Sequence, residues 1–266
     1  MLDVHPPHSP THTWKDFFIH IATIVVGLLI AVGLEQTVEA IHHRREVAEL
    51  NEQMRVEAEN NLPLLRDSIA RLETQDQYVR KLQQNLRAGK VSGANVAVVG
   101  VAPPASSILY VSPSRATWAS AQTAGIAALL PAGQAKVYAR LDYNALAEVG
   151  AEDFMIQQLQ QLASACFSAN YDHVSSAVSL ITSEHRDDIL FKLATLENAV
   201  QLMLYRLSIL EGGDEAIAAG VESLDAMFPY QDAALSRVKT ASSLNTFFGT
   251  DPGQKYTNKP VAAGSK

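Results

Sequence analysis

A lone cysteine, Cys166, in 266 residues excludes an intrachain disulfide framework and any cysteine-based zinc site within one chain. It falls inside an apolar helical pattern, where a free thiol reads as a small hydrophobe. A catalytic thiol would want a nearby histidine, and His173, two turns on along the same face, is the only pointer to one. Basic charge is scarce as well. The net charge is −7 and no Lys/Arg stripe with interleaved aromatics occurs, which argues against a general nucleic-acid binder. The chain holds no phosphate-binding Gly-rich loop, nucleophile elbow, zinc-protease helix or kinase signature. Paired acids such as Asp187-Asp188 sit at a helix start, where the macrodipole explains them. These residues point to no active site and imply no cofactor.

What the chain does have is one long apolar run, residues 17–34, broken only by His20 and Thr23, with two Gly that a membrane helix tolerates. As a helix at 1.5 Å per residue it is about 27 Å long, close to the hydrocarbon thickness of a bilayer. Twelve of its residues are Leu, Ile, Val or Phe. At about −0.3 to −0.6 kcal/mol each near the membrane centre they favour insertion by roughly 4–7 kcal/mol, more than one His cancels. Trp14 precedes the run, where interfacial aromatics collect, and His42-His43-Arg44-Arg45 follows it. The competing reading is a signal peptide, since Ala31-Val32-Gly33 has small residues where a peptidase wants them. The run exceeds the usual h-region, its leader contains acid, and the helical pattern continues past Gly33. An uncut single-pass anchor is the expectation. The next best stretch, 189–210, contains Lys192, Glu197 and Arg206 and does not qualify as a second span. Lys15 on one side against Arg44, Arg45 and Arg55 on the other leans towards a cytoplasmic C-terminal domain.

The remainder reads as all-α. Residues 1–13, with three Pro and with His5, His8 and His12, form an expected disordered leader, and 14–38 the transmembrane helix. No Gly or Pro occurs in 34–62, so a juxtamembrane helix is expected over 39–89, with a kink or break at Pro63 and an end at Gly89. Leu65, Ile69, Leu72, Val79 and Leu86 keep helical spacing, while Asp76 and Gln83 sit at seam positions, short of an ideal coiled coil. Residues 90–113 predict an extended or hairpin insert, from Val96–Val101, Pro103-Pro104 and Ile108–Val111. A helical bundle is expected over 114–239. Its parts are a helix 114–129 capped by Ser112 or Ser114, one from Pro131 to about 146, and a boundary at Gly150. A helix 151–181 then follows, with Met155, Leu159, Leu162, Cys166, Ala169 and Ala177 or Ile181 on one stripe.

The cleanest periodicity is Ile189, Leu193, Leu196, Val200, Met203, Leu207 and Leu210, spaced by four and three across three heptads. Ser183 is its expected cap and Gly212-Gly213 its expected end. Three heptads suit a dimer seam or an intrachain bundle, and the 151–181 stripe offers an intrachain partner. A last helix is expected over 214–228, ending near Pro229, before a flexible tail 240–266.

Two clusters stand out as candidate sites. Thr23, Gly27 and Ala31 recur every four residues, a spacing of small residues that lets membrane helices approach closely. Beyond the run, Glu35, Glu39, His42, His43, Arg44 and Arg45 form a polar collar in which Glu39 pairs with His42 or His43. Glu39-Ala40-Ile41-His42 also spells Glu-x-x-His, the spacing by which di-iron carboxylate proteins hold metal. That chemistry needs a second such motif, which the chain lacks.

The Gly27-Leu-Leu-Ile-Ala anchor with its Leu34-Glu35 exit, together with Trp118…Gly125, resembles uncharacterised bacterial single-pass proteins with an N-terminal anchor and a helical remainder. The resemblance covers about 60 residues. It implies this architecture and a place in the bacterial inner membrane, and no reaction. The expected role is a non-catalytic, membrane-anchored interaction or scaffold protein, homo-oligomeric or bound to a protein partner. The alternatives are a ligand-sensing helical domain and a carboxylate/His metal-binding protein.

Overall fold

The computed structural model describes residues 14–89, 113–171 and 183–238, and all regular structure among them is helical. The elements are α1 (Trp14–Arg87), α2 (Ala116–Thr123), a 3-10 turn (Ile126–Leu129), α3 (Ala132–Tyr171), α4 (Ser183–Ala218) and α5 (Leu224–Arg237). The expected leader, the insert over 90–112 and the tail fall outside the described residues, as do Ser112 and the side chain of Cys166. Packing divides the chain into two units, Met1–Glu49 and Leu50–Lys266.

In the first unit, α1 is long and apolar enough to cross a membrane, and none of the residues in its apolar window is buried. Phe18, Ile24, Leu29 and Leu34 are each 60% exposed or more. Polar side chains on this stretch satisfy themselves locally. Thr23 donates to the Ile19 carbonyl at 2.8 Å and Thr37 to that of Gly33 at 2.7 Å. Such bonds cost a helix little and remove a hydroxyl from an apolar surface.

The second unit is built on two long apolar seams. Along α1, Leu50, Met54, Ala58, Leu65, Leu72, Val79 and Leu86 are buried at helical spacing. On α4, all seven residues of the 189–210 stripe are exposed by 1% or less. Polar pairs join the two helices. Arg66 reaches Glu211 at 2.9 Å, Gln201 donates to Asp76 at 2.6 Å, and Gln83 donates to Glu197 at 2.8 Å. Residue numbers rise on α1 as they fall on α4, so these segments run in opposite directions. Asp76 and Gln83, out of place in a coiled-coil seam, are buried and bonded across it.

Several expected helix ends are absent. α1 passes through Pro63 without a break. The proline is exposed, and so is Glu59, whose carbonyl loses its amide partner and can be hydrated. Packing of Ala58, Asn61 and Leu65 on the opposite face holds the helix on both sides. Pro229 likewise lies inside α5 on an exposed face, so the helix expected over 214–228 is divided differently. Residues 214–218 belong to α4, and α5 starts at Leu224, where Ser223 accepts from the Ala226 amide at 3.4 Å. Gly150 is interior to α3, because Glu148, Ala151 and Met155 are buried on either side of it. The helix expected over 114–129 closes at Thr123 and resumes as the 3-10 turn.

Gly212-Gly213 is not an end either. A Cβ on Gly212 would lie 2.5 Å from the Gln231 Cα of α5, and one on Gly213 2.4 Å from a Leu141 methyl of α3. Gly212 marks a close crossing of α4 and α5, and Gly213 leaves room for the Leu141 side chain of α3. The end of α4 is at Gly220, φ 76°, where Gly220 N donates to Ile217 O and Val221 N to Ala216 O. Those two bonds form a Schellman motif. Gly89, φ 65°, ends α1 as its sequence predicts.

The two kinds of interior glycine should respond in opposite directions to alanine. At Gly150 a Cβ meets nothing within 4 Å, so Gly150→Ala should stabilise by about 0.5–1 kcal/mol through helix propensity. Gly212→Ala should destabilise by about 1–3 kcal/mol or more, from overpacking. Chemical denaturation of the full chain in detergent checks both, and equal effects would refute the close crossing.

Candidate functional site

Thr23, Gly27 and Ala31 lie on one exposed face of α1, and a Cβ added to Gly27 meets nothing within 4 Å. In the collar, His43 Nε2 pairs with Glu39 at 3.9 Å and His42 Nε2 with Glu46 at 3.2 Å. Of the two partners expected for Glu39, the structure chooses His43. Glu35, Arg44 and Arg45 are exposed. Pairs this open contribute tenths of a kcal/mol. Among the described residues no three His, Cys, Asp or Glu side chains converge as a metal would require. The Glu39/His42 spacing therefore brings no ligand set together.

The densest polar chemistry lies in the second unit, at the start of α2, away from both clusters that the sequence marks. Two α1 side chains hold that start in place. Asn61 donates to the Ser114 carbonyl at 3.0 Å and accepts from the Ser114 amide at 2.9 Å. Glu57 Oε1 accepts from the Ala116 amide at 2.9 Å and from the Ser114 hydroxyl. The capping expected of Ser114 thus passes to Glu57. Ser114 Oγ itself lies 3.4 Å from the Ala116 amide. A carboxylate at orphan N–H groups is favoured by charge as well as geometry.

Arg115, the residue before α2, turns inward and forks onto Asp214 of α4, at 2.7 Å and 3.2 Å. Both are nearly dry, the Arg115 side chain 10% exposed and that of Asp214 not at all. Burial pushes the Asp214 carboxyl up from its ordinary value, against the guanidinium and an Asn61 hydrogen bond, which pull it down. A bidentate ion pair of this kind tolerates burial because its charges and lone pairs are met together.

Glu148 of α3 has no such help. The residue is 1% exposed, and neither carboxyl oxygen accepts a hydrogen bond. Burial, and then the charge of Glu152 one turn on, push its pKa up to about 7, against the opposing charge of Arg115. Asn144 Nδ2, one turn earlier, is buried without a hydrogen-bond partner, as are Arg115 Nε, Trp118 Nε1 and Glu57 Oε2. Trp118 packs on Tyr138 of α3 with ring centres 5.7 Å apart. The sequence did carry a signal. Leu141, Asn144, Glu148, Ala151, Met155, Gln158 and Leu162 alternate spacings of three and four, which puts an amide and an acid on a core stripe.

A second polar cluster joins Arg66 and Arg237 to Glu211 and Glu215, at 2.7 to 3.0 Å. It lines an open groove of about 330 Å³, and its charges balance as two of each sign. A further groove, of about 490 Å³, runs past Glu52, Glu57, Asn60, Asn61 and Ser114 beside the α2 start. No protein family, curated protein or solved structure matches the chain.

Glu148 makes stability pH-dependent with a definite sign. Its folded pKa, about 7, lies above the ordinary 4.5, so the folded state binds the proton more tightly. The stability this contributes is complete below pH 4.5 and lost as pH rises through 7. Glu148→Gln should flatten that part of the curve and leave the protein more stable than wild type at pH 8, by about 2–3 kcal/mol. Thermal unfolding of both proteins at pH 5, 6.5 and 8 decides it, and parallel curves would refute the assignment.

Proposed function

We propose that this chain is a single-pass membrane protein whose second unit, an antiparallel helical bundle, serves as a non-catalytic interaction or scaffold module. The observation that carries the reading is the complete exposure of the apolar window of α1. Its Leu, Ile, Val and Phe side chains cover the helix all round, which suits lipid and not one face of a soluble core. Trp14, Phe17 and Phe18 cluster with ring centres 5.6 to 5.8 Å apart at its start, the place of an aromatic belt. The hydrated collar from Glu35 to Arg45 follows where the helix would leave the bilayer. The resemblance to bacterial anchored proteins supports the inner membrane, and the Arg side of the anchor supports a cytoplasmic bundle. Carbonate extraction should leave the protein in the membrane fraction. N-terminal sequencing should find no product starting at Leu34, and a soluble fragment beginning there would overturn the reading.

The partners of this reading are the bilayer and a second copy or another protein, with no nucleic acid. Within lipid, helices attract through close packing and hydrogen bonds, and the Thr23, Gly27, Ala31 face permits close packing. Gly27→Ile should therefore weaken self-association of the anchor while leaving insertion intact, with Leu29→Ile on another face as the silent control. Equal signals from Gly27→Ile and wild type in a membrane two-hybrid assay would make the anchor a plain tether.

The ligand-sensing alternative is favoured by one observation, the buried Asn144–Glu148 pair with unmet polar atoms. Proton uptake accounts for that pair without a larger ligand.

A further inference from the structure

Arg115 stands at a junction with two buried carboxyl groups and is bonded to one of them. Its forked contact to Asp214 leaves Nε without an acceptor, while both oxygens of Glu148 lack a donor. Two charged groups act on Glu148 directly. Glu152 stands one turn along its own helix, and Arg115 precedes α2. Behind Arg115, Asp214 belongs to α4 and Glu57 to α1, and the charge of Glu57 acts on Asp214. Arg115 is the cation in this set and the other four are acids. With Glu148 ionised, one guanidinium would have to serve two dry carboxylates, and an unpaired buried charge is far costlier than a shared one.

We propose that Glu148 is a proton-operated switch: when it is protonated, Arg115 stays on Asp214 and α2 stays seated, and when it ionises it draws the guanidinium away and loosens α2 from α3. The proton leaves to solvent and no other group changes its covalent state. Arg115 is suited to this because it adjoins the first turn of a helix only eight residues long. Such a helix has little stability apart from its contacts. Glu57 and Asn61 hold the backbone on the outer side, so the movement is a change of seat and not a release. The burial of Glu148 and the charge of Glu152 place the exchange near pH 7. This inference rests on the second unit alone and stands whichever way the membrane reading falls.

Trp118 makes it measurable. The chain has two tryptophans, so Trp14→Phe leaves Trp118, 4% exposed and against Tyr138, as the sole indole reporter. Emission of full-length Trp14→Phe protein in detergent should shift to the red as pH rises from 5.5 to 8.5, with a midpoint near 7. Glu148→Gln in the same background should be flat, which also separates the switch from histidines titrating in that window. Asp214→Asn removes the competitor for Arg115 and should lower the midpoint by about one unit or more. Backbone hydrogen exchange, corrected for intrinsic rates, should rise between pH 6 and 8 in 114–123 and stay constant in 193–207. That comparison needs only wild-type protein and decides the matter if a variant does not fold. A Trp118 signal independent of pH, a transition that persists in Glu148→Gln, or equal exchange in 114–123 at both pH values would overturn the switch.

Discussion

Seven apolar side chains spaced by four and three residues along α4 must be kept from water together, and the other helices of the second unit are arranged by that requirement. At about 25 cal/mol per Å² of apolar surface, such a stripe outweighs any single polar contact in the unit. α1 runs beside it in the opposite direction, tied to it by polar pairs from Glu197 to Glu211. α5 closes in where Gly212 lacks a side chain that would hold it off, and Leu141 of α3 fills the space beside Gly213. α5 adds Met227 and Ala234 to the interior, and Gln231 on the same face donates to the Ile209 carbonyl at 3.2 Å.

Apolar burial is indifferent to sliding one helix past another by a heptad, so register needs a second source. Asp76 with Gln201, and Gln83 with Glu197, provide it: a shift of one turn would leave buried polar atoms unpaired. Arg80 braces both acids, 2.8 Å from Asp76 and 3.0 Å from Glu197. The Arg115–Asp214 pair acts similarly for α2, tying a short segment to a helix far along the chain. Glu148 is the exception in this scheme. It occupies a core position on α3 with neither carboxyl oxygen hydrogen-bonded, where the buried carboxylates of Asp76 and Asp214 are each bonded across helices, and burial pushes its carboxyl up.

Much of this architecture is legible in the residues. The apolar run of 17–34, the helical character, the 189–210 stripe and the Gly89 terminus follow from periodicity and local chemistry. The failures share a cause. Pro63, Gly150, Gly212 and Pro229 each suggest a kink, boundary or end because their local cost is real, up to about 3 kcal/mol for an interior proline. In the fold each sits where packing on the opposite face, or the need for a close approach, exceeds that cost. The same limit applies to the candidate site. Asn144 and Glu148 fall on a core stripe by counting alone, but Arg115, Asp214, Glu57 and Asn61 come from three further elements, and no spacing along the chain relates them.

The residue pattern alone carries the helical character and the buried 189–210 stripe, because both depend on neighbours within one or two turns. It also determined that one helix is apolar all round. Tertiary structure alone decided where helices end when a proline or glycine suggests an end, which helix caps α2, and which cation serves which acid. Those outcomes depend on groups 50 to 150 residues apart in the chain, brought within hydrogen-bonding distance only when the α4 seam is closed.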